Sequence, residues 1–309
     1  MLHVPVLLEE TVSRLVTEPG GWYLDATAGA GGHAAAVLAA AGLDARLLAL
    51  DRDGEALELA RAALAPFGGR AVLERANFSE MADVAARHGV TGFRGILMDL
   101  GVSSMQLDRP ERGFSFRADA PLDMRMDDRQ DLTAAELLRR LPPDELSSVL
   151  KRYGEEPMAR RIARAVAEAL SRGQPLDSTR QLADLVERVK GGRRGRIHPA
   201  TLTFQALRMA VNGELDALEA ALPAALNLLA PGGRLAVISF HSLEDRMVKQ
   251  FMAAHEGRME SLARGGARWA GELPRGRRIG RRPVGPGEEE VQRNPRARTA
   301  KLRVLERMD

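Results

Sequence analysis

Residues 22–53 read WYLDATAGAGGHAAAVLAAAGLDARLLALDRD, and the order of residue types in this stretch decides the fold. An apolar strand runs into a glycine turn, an Ala/Leu-rich helix follows, and a second strand, LLALD at 47–51, ends on an acid about twenty residues past the glycines. This is the outline of a nucleotide-cofactor pocket. Gly29, Gly31 and Gly32 carry no β-carbon to hold a ligand away from the backbone, and they stand where the next helix exposes its unpaired N–H groups. Asp51, at the carboxyl end of the second strand, is placed to accept hydrogen bonds from ribose hydroxyls. A glycine turn of this kind also forms for packing alone; the downstream acid favours the cofactor.

The turn fits G-x-G-x-x-G/A through Gly29, Gly31 and Ala34 as well, so a dinucleotide and an NAD-dependent dehydrogenase stay open on this motif. Asp25, just upstream of Gly29, points elsewhere: a carboxylate there repels a pyrophosphate and attracts an ammonium group. The pattern Asp25-x-x-x-Gly29-x-Gly31 resembles the first motif of S-adenosylmethionine-dependent methyltransferases, whose cofactor carries an ammonium, a sulfonium and no phosphate.

Further along, EALELARAALAPF from residue 55 reads as a helix and AVLERAN from 71 as a strand. GILMDLGVSS then gives a buried strand at 95–98 that delivers Asp99 to its carboxyl end. Four strands joined by short helices imply a right-handed, parallel, doubly wound sheet. Ligands on such sheets bind beyond the carboxyl ends of the strands, where Gly31, Asp51, Asn77-Phe78 and Asp99 gather.

The next strand is RLAVISF at 234–240, preceded by an amphipathic helix in ELDALEAALPAALNLLAPGG. Far more chain separates it from the fourth strand than the roughly thirty residues of a βαβ crossover. Only helix signals lie between: a capping box from Thr133 to Glu136, Pro157 opening MARRIARAVAEAL, and a second box from Ser178 to Gln181. The expected architecture is therefore α/β, a Rossmann-like sheet formed by residues 1–106 and 213–309, with an inserted all-helical domain at 107–212. An insertion at the mouth of a pocket is where a substrate-recognition surface is built; the alternative is a stabilising cap. After residue 257 the chain is rich in Gly, Arg and Pro, with RGRRIGRRPVGPG at 275–287, a stretch that either tracks phosphates or is a solvated loop. Regular structure is expected to return only at AKLRVLER, 300–307, as a last strand.

Composition restricts the chemistry. The chain of 309 residues exceeds a usual single domain. It holds no apolar run near the ~18 residues of a membrane span, and acids stand in the N-terminal MLHVPVLLEETVSRL where a secretory signal would be basic, so a cytoplasmic protein is expected. A net charge of +3 permits an anionic partner without requiring one. The absence of cysteine removes disulfides, thiolate metal sites and cysteine nucleophiles. Methylation at carbon 5 of a pyrimidine, which proceeds through a cysteine adduct, is thereby disfavoured, leaving nitrogen or oxygen acceptors.

Longer strings then carry a family resemblance. They are HVPVLLEE at 3–10, AGAGGHA at 28–34, MDLGVSSMQLD at 98–108, RGFSFRADAPLDMRMD at 112–127, YGEEPMARRIARAV at 153–166, HPATLTFQALRMAVNGEL at 198–215, SFHSLEDRMVKQF at 239–251 and NPRARTAKLR at 294–303. With these the chain resembles, over nearly its whole length, the bacterial MraW, or RsmH, methyltransferases. That resemblance implies S-adenosyl-L-methionine as cofactor, 16S rRNA in the small ribosomal subunit as partner, and methylation of the N4 amino group of a decoding-region cytidine. It implies cofactor contacts at Gly31, Gly32, His33, Asp51, Phe78, Asp99 and Gln106, of which His33 and Gln106 rest on the resemblance alone. Amino-methyltransferases of nucleic acids typically carry a D/N/S-P-P-aromatic motif after the fourth strand. Here the position reads Asp99-Leu100-Gly101-Val102, which leaves open both the catalytic role of Asp99 and the stacking ring. Phe114, Phe116 and Phe240 are the candidate rings, and His241 a candidate substrate contact or proton relay. For each, a core or capping role is the competing reading. Asp123 and Arg125 read as an internal ion pair. A non-catalytic RNA-binding assembly factor is the remaining alternative.

Overall fold

The computed structural model describes residues 5–193, 195, 198–261, 266–270 and 274–308. The first half of the sheet domain alternates as expected: α1 (Leu8–Leu15), β1 (Gly21–Asp25), α2 (Gly32–Ala41), β2 (Ala45–Asp51), α3 (Gly54–Leu64), β3 (Ala71–Arg75), α4 (Met81–Arg87) and β4 (Phe93–Asp99). Helices follow, with one isolated antiparallel bridge between Pro121 and Ser178: α5 (Ser104–Asp108), α6 (Ala134–Arg140), α7 (Pro143–Gly154), α8 (Ala159–Ser171), α9 (Thr179–Lys190) and α10 (Thr201–Asn212). The chain then forms α11 (Glu214–Leu228), β5 (Leu229–Ser239), α12 (Ser242–Glu256), β6 (Arg258–Ser261), β7 (Ala267–Ala270), β8 (Gly276–Arg278), α13 (Glu288–Arg293) and β9 (Lys301–Arg307). Two compact units result, Met1–Gly101 with Asp216–Asp309, and Val102–Leu215. No described helix is long and apolar enough to cross a membrane.

The first unit is a seven-stranded sheet in the order β3-β2-β1-β4-β5-β9-β8. Strands β1 to β5 pair in parallel, and β9 runs antiparallel to both β5 and β8. Period-two alternation sends successive side chains to opposite faces. Leu48, Leu50, Ile96, Met98, Leu235 and Val237 pack on one side with the apolar stripe Leu218, Ala221, Leu222, Ala225 and Leu226 of α11. Leu47, Ala49, Leu97, Ala236 and Ile238 pack on the other with Ala34, Val37, Leu38 and Ala41 of α2. Strand order reverses at β1, which has β2 on one side and β4 on the other. That switch point, at the carboxyl ends of β1 and β4, is where such a sheet opens a crevice.

Two expectations are corrected. Regular structure returns well before residue 300. The short β6–β7 hairpin pairs antiparallel, Gly276–Arg278 adds an edge strand against β9, and Glu288–Arg293 is helical. Periodicity could not reveal a three-residue edge strand whose hydrogen bonds all go to a distant partner. Second, α8 begins at Ala159 with Met158 as its N-cap, so Pro157 lies in the preceding turn instead of opening the helix. Strand β5 is longer than the sequence suggests, but its register breaks between the Phe93 and Gly95 pairings, and regular pairing runs from Arg234.

The helical unit has its own core, with Leu146, Leu150, Ile162, Val166, Leu182, Val186, Phe204 and Leu207 among its buried residues. Buried Asn212 ties the irregular segment before α6 to the end of α10. Its Nδ2 donates to the carbonyls of Met124 (2.7 Å) and Arg208 (2.9 Å), and its Oδ1 accepts from Met126 N (2.8 Å). This holds Met124 in a left-handed conformation, φ +64°. Asp123 and Arg125 form the expected internal pair, with two side-chain contacts of 2.8 and 2.7 Å.

Candidate active site

Three carboxylates mark the carboxyl ends of adjacent strands: Asp25 on β1, Asp51 on β2 and Asp99 on β4. Asp51 orders the turn between β1 and α2. Its Oδ2 accepts from Gly29 N (2.8 Å) and its Oδ1 from Asp53 N (2.9 Å). Each oxygen retains a lone-pair direction for a further donor. Asp25 Oδ1 accepts from Thr27 N (3.1 Å), and Thr27 Oγ1 accepts from Asp99 N (2.6 Å), lacing β1 to β4 across the switch point. Asp25 Oδ2 and Asp99 Oδ1 are buried with no hydrogen-bond partner. Unpaired buried acceptors are costly, and their concentration in one crevice suits a ligand that brings positive charge or N–H donors.

The electrostatics agree with that fit. Burial pushes Asp25 up to about 7, with Asp51 adding to the shift and the Thr27 N–H opposing it. Asp99 is raised well above the ordinary range, first by burial and then by the charges of Asp25 and Glu244. Asp51 is also raised by burial, against the lowering effect of its two backbone donors. A pyrophosphate would be repelled by this group; a sulfonium or ammonium would be drawn to it.

His33, in the first turn of α2, is buried and bridges the crevice to the N-terminal segment. Its Nε2 lies 3.0 Å from Val6 O. A carbonyl only accepts, so Nε2 carries the hydrogen, and Nδ1 lies 3.6 Å from Asp99 Oδ2. Neighbouring Leu7 adopts a left-handed conformation, φ +54°, and its N–H donates to Glu290 Oε1 at 2.7 Å. The roles of Thr27, Val6 and Glu290 are not legible in the sequence. Thr27 carried a faint signal in DATAG at the end of β1, whereas nothing local links Glu290 to a residue 283 positions earlier.

Gly31 and Gly32 have a packing role. A β-carbon on Gly31, φ +84°, would lie 3.0 Å from Ala60 Cα, and one on Gly32 would lie 2.4 Å from Pro5 Cγ. These two positions need glycine because α3 and the N-terminal segment pass so close. The N–H of Gly31 donates to Ala28 O (2.7 Å) and that of Gly29 to Asp51, so neither is left for a ligand. Only at Gly29 is the β-carbon position open, its nearest neighbour being 3.9 Å away.

The remaining predicted residues have local partners. Phe78 packs against the sheet core, with the Arg52 guanidinium 5.9 Å from its ring centre. His241 is the N-cap of α12. Its Nδ1 accepts from Glu244 N (3.4 Å), while Glu244 Oε2 accepts from Phe240 N (3.0 Å). His241 Nε2 lies 3.1 Å from Glu244 Oε1 but is not aligned for a hydrogen bond. Phe240 is partly buried against the opposite sheet core. In the helical unit, Gln106 closes the capping box of α5, its Oε1 accepting from Ser103 N at 3.0 Å. Phe114 is buried in that unit's core, and the Phe116 ring meets Phe204 edge-on at 4.8 Å and His198 at 4.5 Å. His3 and Val4 of the N-terminal string lie outside the described residues.

The sequence pattern of the MraW methylase family matches residues 1–308. A protein of Dehalococcoides mccartyi named Ribosomal RNA small subunit methyltransferase H is 49% identical over 314 residues, spanning 99% of this chain and 86% of its own length. Proteins of the same name from Cyanothece sp. and Beijerinckia indica are 49% and 51% identical, spanning 100% and 97% of this chain and 95% and 84% of their own lengths.

Proposed function

This chain belongs to the MraW methylase family, and from that premise we propose that it methylates the N4 amino group of a cytidine in the decoding region of 16S rRNA, using S-adenosyl-L-methionine. The observation that carries the reading is the cluster of Asp25, Asp51 and Asp99 at the switch point, with two carboxylate oxygens buried and unpartnered. When bound, S-adenosylmethionine supplies the electrophilic methyl group. Asp51 would accept from the ribose hydroxyls and Asp25 would hold the cationic tail, with Phe78 and the turn of Gly31 and Gly32 as the further contacts that the family resemblance implies.

The exocyclic nitrogen of cytosine is a weak nucleophile because its lone pair is delocalised into the ring. Asp99 Oδ1 accepts one amine N–H and so returns electron density to nitrogen. A carboxyl group with a raised pKa is a better base than an ordinary one once it has ionised, and a nearby cation favours ionisation. The proton left on nitrogen after transfer passes to Asp99 and on toward His33 Nδ1, 3.6 Å from Oδ2. Holding amine and methyl group in line supplies the rest, up to ~7–11 kcal/mol for well-oriented reactants. Phe116 and His241 remain substrate candidates on this reading, although each already has a structural role in its own unit. The protein works in the cytoplasm, on small ribosomal subunits.

The test is to incubate the protein with small subunits from cells lacking this enzyme and with methyl-labelled S-adenosylmethionine, then map the label by nucleoside mass spectrometry. Label on cytidine N4 at one decoding-site nucleotide is expected. Label on another atom or nucleotide refutes the acceptor assignment, and no label refutes the reaction.

A further inference from the structure

The helical unit carries many arginines, and several of those on its surface sit beside a carboxylate. Arg125 pairs with Asp123, Arg129 with Asp127, Arg139 with Glu136 and Asp177, Arg140 with Glu136, and Arg208 with Glu214. The first half of α8 differs. Ala159, Ile162, Ala163, Val166 and Ala169 form its buried stripe, which leaves Arg160, Arg161 and Arg164 on the exposed face. Among the described residues none of these three makes an ion pair or a side-chain hydrogen bond. Glu168, one turn beyond Arg164, lies 3.8 Å from Arg172 instead. Glu156, just before the helix, is turned inward to Lys190 Nζ at 2.6 Å.

The charge order along α8 is also reversed. Helices α1, α6 and α7 place acids in the first turn and bases in the last, the arrangement the helix dipole favours. Helix α8 has no acid in its first turn and no base in its last, while Arg160 and Arg161 follow its first residue. The dipole disfavours cations there, and three neighbouring guanidinium groups repel one another. An anion laid across this face relieves both penalties. Arg160 and Arg164 are one turn apart, about 6 Å along the axis, and each guanidinium is shaped to grip phosphate oxygens in pairs.

We propose that Arg160, Arg161 and Arg164 form a contact surface for the phosphate backbone of the RNA substrate. The proposal rests on the RNA-methyltransferase reading and adds to it a grip remote in sequence from the carboxylate cluster. Backbone contacts of this kind set affinity and its salt dependence without reading bases.

The deciding experiment uses the full-length protein with R160Q, R161Q and R164Q combined, since glutamine keeps helix propensity while removing charge. The control, R46Q, R61Q and R87Q combined, removes the same charge from exposed positions of the sheet unit. KM for small subunits should rise about tenfold or more in the α8 variant at moderate salt, and the slope of log affinity against log salt should become shallower by about 3, roughly 1 per lost contact. The kcat and the affinity for S-adenosylmethionine should stay within about twofold of wild type, and the control should keep the wild-type salt slope. An unchanged KM and salt slope in the α8 variant, or an equal change in the control, overturns the proposal. Direct binding of fluorescently labelled small subunits is measured alongside. If wild-type protein transfers no methyl group, the reaction reading has failed. The surface is then judged by binding alone: weaker, less salt-dependent binding confined to the α8 variant supports it, and equal binding overturns it.

Discussion

Asp25 and Asp99 each leave one carboxylate oxygen buried without a hydrogen bond, and both are harder to ionise than ordinary acids. For Asp25 the sign of the linkage is definite. Its folded pKa is raised, so its contribution to stability is fully present below the ordinary value near 3.8 and is lost as pH rises through about 7. The loss is on the order of 4 kcal/mol if fully expressed. Asp25→Asn should therefore raise the unfolding temperature of the cofactor-free protein most near pH 8, and progressively less toward pH 4, while weakening S-adenosylmethionine binding. Thermal shifts with and without cofactor across that range measure both effects, and a stabilisation independent of pH would contradict the assignment. At the turn, Gly31→Ala should cost about 2–4 kcal/mol, because strain at φ +84° adds to a clash with α3. Gly29→Ala meets no such neighbour and should cost only about 1–2 kcal/mol. Denaturant unfolding of the two variants checks the order.

Individual elements act as supports for these residues. The N-terminal segment reaches the crevice through Val6 O on His33 and is fastened by Glu290 of α13 on the N–H of Leu7. Glu290→Ala should cost about 1–3 kcal/mol, the usual worth of a hydrogen bond to a charged group. It should also weaken cofactor binding, whereas Glu290→Gln, which keeps an acceptor, should recover most of both. Calorimetric cofactor titration of the pair distinguishes this from a surface charge effect, for which Gln and Ala would behave alike. Helix α12 offers a similar separation. His241→Ala removes its N-cap at a cost of about 1 kcal/mol, while His241→Asn supplies an equally good cap without an imidazole. Turnover lost in the Asn variant at unchanged stability would give His241 a role in the reaction; turnover retained there would leave it a capping residue.

At the scale of the whole molecule, a net charge of +3 and an aromatic content of 4% leave little with which to grip and read a bare single strand. Of the candidate rings, Phe114 and Phe116 are engaged inside the helical unit, and Phe240 is partly buried against a sheet core. On the proposed function, recognition of a shaped surface is expected. The protein should methylate assembled or nearly assembled small subunits far faster than a short protein-free hairpin of the same sequence. Equal single-turnover rates on the two substrates would refute this.

By itself the sequence determined the alternating strands and helices up to β4, the acids that end β1, β2 and β4, and the helix-only interval between β4 and β5. These features are local: two-residue and 3.6-residue periodicities and capping boxes are written within a few positions of one another. The tertiary structure alone decided that Gly31 and Gly32 answer to α3 and Pro5, and that His33 spans from Val6 toward Asp99. It also decided that Glu290 holds Leu7 and that β9 inserts antiparallel between β5 and β8. In each of these the partners are far apart in the chain, and no local pattern encodes the approach of one distant backbone to another.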